Sequence, residues 1–216
     1  MFIIHSFTFS PIAENTYLLY NETGECIIID PGCYFDNERR DLAAYVETNG
    51  LRPKYLLNTH CHLDHVFGNK FVHETWQLEL CLHALEQPVL DYAPTAGLRW
   101  GMPFDNYKGP LHFLREGDEI RLGSDVLKVL FAPGHSPGHI CFYCAAQGFL
   151  IGGDVLFKMN VGRTDLPGGD ARTLFNSIRT VLFALPDSTV VYPGHGEATT
   201  TGFEKVNNPY LKQATV

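Results

Sequence analysis

The chain has 216 residues, 45% of them hydrophobic and 19% charged, which is enough apolar material for one sizeable buried core, and nothing in the composition suggests disorder. A formal net charge of −8 provides no basic field to gather phosphates, so neither nucleic acid nor an anionic membrane is an expected partner. No apolar run is long enough to span a bilayer, and MFIIHSFTFS lacks the basic start of a secretory signal. The expectation is therefore a cytoplasmic protein acting on a small molecule, with its six scattered Cys as buried thiols rather than a disulfide framework.

In chain order, residues Phe2 to Phe9, Tyr17 to Tyr20 and Cys26 to Ile29 read as strands, with a hairpin turn at Asn21-Glu22-Thr23-Gly24. Asp30-Pro31-Gly32 ends the third strand with a carboxylate. It serves either as a turn-forming side chain or as a group that orients a metal-binding histidine from behind, and the sequence weights the two equally. From Asp36 to Thr48 the spacing of Leu42, Tyr45 and Val46 predicts an amphipathic helix, with Asp36 capping its first turn and Asn49-Gly50 stopping it.

Lys54 to Leu57 reads as a buried strand leading into Asn58-Thr59-His60-Cys61-His62-Leu63-Asp64-His65. Alternate side chains of an extended segment share a face, so His60 and His62 converge on one ion while Cys61 faces away. Asp64 and His65, at the start of a helix running to Trp76, point differently and can serve a second ion. Three His and one Asp within six residues are difficult to bury without partners. Leu78 to Leu82 reads as a strand. Residues 83–110, with Pro88, Pro94, Pro103 and Pro110, have little periodicity and are expected to form an irregular lid or wall in which Tyr92, Trp100, Phe104 and Tyr107 mostly cover core.

Glu119 to Leu122 and Val126 to Ala132 read as strands leading to His135, in Pro133-Gly134-His135-Ser136-Pro137-Gly138-His139. Ile140 to Ala145 and Phe149 to Ile151 form a hairpin delivering Asp154, and a helix over Leu174 to Leu185 precedes a strand, Thr189 to Tyr192, that places His195. Each of these three residues follows an apolar run and sits among Gly and Pro, which let the backbone turn sharply and keep bulky side chains out of a metal's way. Strand, Gly turn, strand and Asp-bearing tip occur at Tyr17 to Asp30 and again at Ile140 to Asp154, an internal echo that suits two similar halves. His5, His73, His83, His112 and His139 are expected in structural or surface roles. Cys141 and Cys144 lie in a strand and are read as core.

The HxHxDH stretch, followed at wide intervals by His135, Asp154 and His195, resembles the metallo-β-lactamase-fold superfamily, and Gly162-Arg163-Thr164-Asp165 resembles its compact glyoxalase II-like, or hydroxyacylglutathione hydrolase-like, members. The resemblance implies an α/β fold, a four-layer αββα sandwich of two mixed β-sheets, with residues 1–216 as a single metallo-hydrolase domain. It implies two divalent metal ions, zinc first and iron or manganese as alternatives. His60, His62 and His135 would hold one ion and Asp64, His65 and His195 the other, with Asp154 bridging and Asp64 also counted as catalytic. A metal-bridging hydroxide would then attack a thioester carbonyl, as in S-lactoylglutathione. Arg163 is a candidate for gripping a substrate carboxylate, against an ion pair with Asp165 or Asp170.

The alternative function is an iron-dependent persulfide dioxygenase, with a lactonase or other ester hydrolase behind it. A β-lactamase, a nuclease, a flavodiiron-type oxygen reductase and a metal-binding scaffold or sensor are less favoured.

Overall fold

A computed structural model describes residues 1–212. They divide into two compact units, Met1–Leu114 with Arg121–Asp125, and Arg115–Ile120 with the chain from Val126 onward.

In the first unit β1 (Ile3–Phe9), β2 (Glu14–Tyr20) and β3 (Glu25–Ile29) form an antiparallel meander. Helix α1 (Asp36–Thr48) then crosses over to β4 (Arg52–Leu57), which pairs parallel with β3. A short helix α2 (Leu63–Val66) and α3 (Asn69–Trp76) lead to β5 (Leu80–His83), and α4 (Gln87–Arg99) to β6 (Leu111–Leu114), both strands again parallel. Leu18, Cys26, Ile28, Leu56 and Leu80 of the sheet pack with Leu42 and Val46 of α1, Val72 of α3 and Leu90 and Ala93 of α4. Leu19, Ile27, Ile29 and Leu57, pointing the other way, are buried as well, so the central strands are apolar on both faces, as parallel strands in α/β proteins are. Each fully buried Leu or Ile contributes about 1.5–3 kcal/mol, which makes this sheet a stiff platform for the loops at its ends.

Two readings of the sequence change here. The oxygen that caps α1 belongs to Glu38, which accepts from the Tyr34 and Phe35 N–H groups at 2.8 and 2.9 Å, while Asp36 pairs with Arg39 at 3.1 Å. The segment expected to be irregular between 83 and 110 contains the thirteen-residue helix α4, despite Pro88 and Pro94. Pro88 lies in the first turn, where no N–H donor is needed. Pro94 cannot donate to the carbonyl of Leu90 one turn back, and the Asn106 side-chain amide takes that place at 2.7 Å. The buried face of α4 is Leu90, Ala93 and Gly97, a helical spacing written in small residues that the prolines obscured. Tyr107 does cover core, being 4% exposed.

The second sheet has the order β14-β13-β10-β9-β8-β7. Its strands are β7 (Glu119–Leu122), β8 (Asp125–Phe131), β9 (Ile140–Cys144), β10 (Phe149–Gly153), β13 (Val190–Pro193) and β14 (Thr199–Thr200). A two-stranded ribbon, β11 (Leu156–Phe157) with β12 (Asn160–Val161), follows β10, and helix α5 (Ala171–Thr180) crosses over to β13, which pairs parallel with β10. Leu174, Ile178 and Leu182 pack on Leu130, Cys141, Leu150 and Val191. Beyond β14 the chain ends its described part in α6 (Thr201–Asn207) and α7 (Pro209–Lys212).

The internal echo is topological. β8, β9 and β10 form an antiparallel meander followed by a helix and a parallel strand, as β1, β2 and β3 do. Among the described residues, no helix is long and apolar enough to cross a membrane.

Candidate metal centre

In the first unit the His-rich loop leaves the end of β4, and His62 stands at the N-cap of α2, so Asp64 and His65 lie on its single turn. Leu63, in the same turn, is buried. The imidazoles of His60 and His62 lie 4.8 Å apart between centroids, and those of His60 and His65 4.1 Å. Behind them is Asp30, at the tip of β3 with φ of +49° and a side chain only 2% exposed. Its Oδ1 accepts from the Thr59 N–H at 2.7 Å and the Asn58 amide at 3.2 Å. Its Oδ2 accepts from the Thr59 hydroxyl at 2.6 Å and pairs with His65 Nδ1 at 3.1 Å.

These bonds settle the ring tautomers by elimination. The Thr59 hydroxyl spends its proton on Asp30, so toward His60 Nδ1, 3.1 Å away, it can only accept. Both Asp30 oxygens already accept from Asn58 and Thr59, and Oδ2 likewise accepts from His65 Nδ1. Both rings therefore carry hydrogen on Nδ1 and keep a lone pair on Nε2, the state a metal-binding imidazole requires. His65 Nε2 faces Asp64 Oδ2 at 3.8 Å. Asp30, His60 and His65 also cluster as potential ligands, but the Asp30 oxygens are already committed to four donors. Glu14, fully buried nearby, accepts from the Thr16 hydroxyl at 2.9 Å, and burial holds its carboxyl well above the usual range against a weaker pull from His65.

In the second unit His135 follows β8 on the Pro133-Gly134 turn. Gly134 has φ of +129°, and a Cβ there would lie 2.2 Å from the Leu174 backbone nitrogen, so the loop is seated directly on α5. His135 Nδ1 donates to the main-chain oxygen of Arg163 at 2.7 Å, leaving Nε2 to face Asp154 Oδ2 at 3.6 Å. His195, on the turn after β13, places its Nε2 at the same 3.6 Å from the same Asp154 oxygen. Gly162 comes so close that a Cβ would stand 1.9 Å from the Asp154 carbonyl oxygen, which explains a glycine before Arg163.

The donors fit divalent metal. Separations of 3.6 and 3.8 Å exceed hydrogen-bond range, whereas bonds of about 2.0–2.2 Å to a tetrahedral ion place neighbouring donors about 3.4 Å apart. Neutral imidazole with carboxylate is a borderline-to-hard set that accepts zinc, iron or manganese. Thiolate is absent from it. All six cysteines are free and buried, and burial pushes the thiols of Cys26, Cys33 and Cys81 up to about 12.

Residues 10–195 match the family model of the metallo-beta-lactamase superfamily. The chain belongs to that superfamily. It is 38% identical over 202 residues to a probable metallo-hydrolase, YqgX, of Bacillus subtilis, covering 93% of each chain. It is 36% identical to the hydroxyacylglutathione hydrolase GloC of Haemophilus influenzae, covering 92% of each, and 32% identical to the mitochondrial persulfide dioxygenase ETHE1 of Mus musculus, covering 91% of this chain and 70% of that one. Among solved structures, the BLEG-1 B3 metallo-beta-lactamase superposes with a TM-score of 0.89 at 36% identity, covering 97% of this chain and 99% of the other. A di-iron-bound form of TTHA1623 gives 0.86 at 40%, covering 96% and 100%. The mixed α/β architecture with two large sheets is thus the superfamily's fold.

Within this superfamily member, several supporting residues escaped the sequence reading. His139, expected in a structural or surface role, is fully buried and its Nε2 accepts the main-chain N–H of Asp154 at 3.0 Å. The repeated Pro-Gly-His of residues 133–139 was the available signal. Asn58 and Thr59 had none beyond standing next to the candidate ligands, and Glu86, whose carboxylate accepts the Cys61 N–H at 2.8 Å, lay in the segment with least periodicity. The Arg163 guanidinium grips Asp165 through Nε and Nη2 at 2.7 and 2.8 Å, the ion pair weighed against a substrate role, and this holds the Asp165 carboxyl down to about 2.

Proposed function

We propose that the two units act as one metallo-hydrolase domain over residues 1–216 that cleaves acylated thiols, with a thioester such as S-lactoylglutathione as substrate. The observation that carries the reading is Asp154 Oδ2, equally distant from the Nε2 atoms of His135 and His195. One carboxylate oxygen shared evenly by two imidazoles is the arrangement expected of a bridge between two cations. In this reading His60, His62 and His135 hold one ion, Asp64, His65 and His195 the other, and Asp154 both. Two such ions, when bound, acidify water toward neutrality and polarise a carbonyl. Asp30 keeps the His65 ring, and through Thr59 the His60 ring, in the metal-binding tautomer, and Arg163 O does the same for His135. Asp64 is the best-placed acceptor for a proton released during attack, being a carboxylate on the site's rim with a side chain 10% exposed. A substrate carboxylate would compete with Asp165 for Arg163, a fork suited to bidentate contact.

The likeness to GloC supports thioester hydrolysis. The likeness to ETHE1 supports a second reading, iron-dependent oxidation of a persulfide by oxygen, which the same side chains can serve. The deciding experiment is turnover of S-lactoylglutathione by protein of measured metal content, with and without oxygen, beside glutathione persulfide and a β-lactam. Hydrolysis that proceeds anaerobically supports the first reading. Oxygen uptake matched to persulfide loss, with one iron per chain, replaces it.

A further inference from the structure

We infer that Glu86 is a positioning residue of this metal centre, its carboxylate fixing the main chain between His60 and His62 so that both imidazoles point to the same place. The inference rests on the reading that these two residues bind metal. Residues 58–62 belong to neither a strand nor a helix, so the Cys61 N–H has no ladder partner to fix it. Glu86 Oε2 supplies that acceptor at 2.8 Å. Cys61 is held twice, because its side chain is completely buried in the apolar cluster of the first unit while its N–H is bound by the carboxylate. A residue anchored at both side chain and backbone sets the direction of its neighbours on either side, which leave the opposite face of an extended segment.

The chemistry of the anchor is unusual for a purely structural contact. Glu86 is fully buried, and a carboxylate taken out of water is costly to fold around. A bond from a backbone N–H to a carboxyl oxygen is directional, which suits ligands that must converge to within a few tenths of an ångström. Its location is equally telling. Glu86 closes the 3-10 turn Ala84–Glu86 that opens α4, and α4 packs on α2, the turn that carries Asp64 and His65. The helix thus touches the ligand set at two places.

The test is a cobalt(II) titration of the metal-free protein followed by visible absorption, for the wild type, Glu86→Gln and Glu86→Met, together with unfolding midpoints of the metal-free chains. Gln keeps an acceptor oxygen at the same reach, and E86Q is expected to bind cobalt within about threefold of wild type. Met fills similar space without an acceptor. E86M is expected to bind about ten- to a hundredfold more weakly and with an altered d–d spectrum, the loss typical when a support behind metal ligands is removed. Wild-type affinity and spectrum in E86M overturn the inference alone, as does E86Q failing like E86M. An E86M chain that does not fold beside a normal E86Q assigns Glu86 to fold stability and overturns it too. A wild-type chain that binds no cobalt overturns the metal-centre reading, and this inference with it.

Discussion

Asp30 and Asp154 occupy the same topological position, each at the tip of the third strand of an antiparallel meander that precedes a helical crossover, yet their surroundings give them opposite chemistry. Asp30 is enclosed by the Thr59 N–H and hydroxyl, the Asn58 amide and His65 Nδ1, so every oxygen is occupied by a hydrogen donor. Asp154 Oδ2 faces the Nε2 atoms of His135 and His195, at distances too long for hydrogen bonds, and the His135 nitrogen carries a lone pair because its Nδ1 donates to Arg163 O. One carboxylate organises histidines from behind; the other stands among them. The lesson is that a carboxylate's role is decided by the donors or acceptors that converge on it, and that repeating a strand topology leaves this choice open.

That contrast can be broken by experiment. The largest effect is expected from Asp154→Asn, which should lower turnover at least about a hundredfold and lose about one ion per chain, with the metal-free protein unfolding as the wild type does. Metal analysis beside a steady-state assay checks it. Asp30→Ala should weaken metal binding by about ten- to a hundredfold and also destabilise the metal-free chain by about 1–3 kcal/mol, because the Thr59 N–H and His65 Nδ1 lose their acceptor. If denaturant unfolding shows D30A and D154N equally stable without metal, the distinction between a supporting and a ligating carboxylate fails.

Smaller effects sharpen the comparison away from the ligands. Asn106→Leu should cost about 1–3 kcal/mol, measured by urea unfolding, since the Leu90 carbonyl facing Pro94 would be left buried without a donor. The Arg163 and Asp165 pair is exposed and its contribution slight. Its depressed carboxyl means that the pair is present above the ordinary value of 3.8 and is lost as pH falls through about 2. In Arg163→Ala the Asp165 titration followed by NMR should move back toward 3.8, and an Asp165 that stays near 2 would show that another group holds it down.

Much of this was legible in the residues. Apolar runs and helical spacing located β3, β4, α1, β8, β9 and β13 to within a few positions, because each carries a recognisable apolar pattern with Gly, Pro or Asn nearby. Helix α4 was hidden because its buried face is made of Ala and Gly beside one Leu, and because the donor that makes Pro94 tolerable comes from Asn106, twelve residues further on. The short β11, β12 and β14 carry too few residues for any period to show.

The sequence by itself determined which side chains are candidates for the centre, since the types and spacing of HxHxDH and the small-residue settings of His135, Asp154 and His195 are properties of the chain read in one dimension. It also determined the family, through the same residues. Only the tertiary structure decided which groups surround each carboxylate and which nitrogen of His60, His65 and His135 holds hydrogen. Those properties depend on hydrogen-bond partners brought together from distant parts of the chain: Thr59 donates to Asp30, while His139 accepts from the Asp154 N–H and Glu86 from the Cys61 N–H. Hydrogen bonds between residues far apart in the chain leave no periodicity behind, and so a linear reading cannot find them.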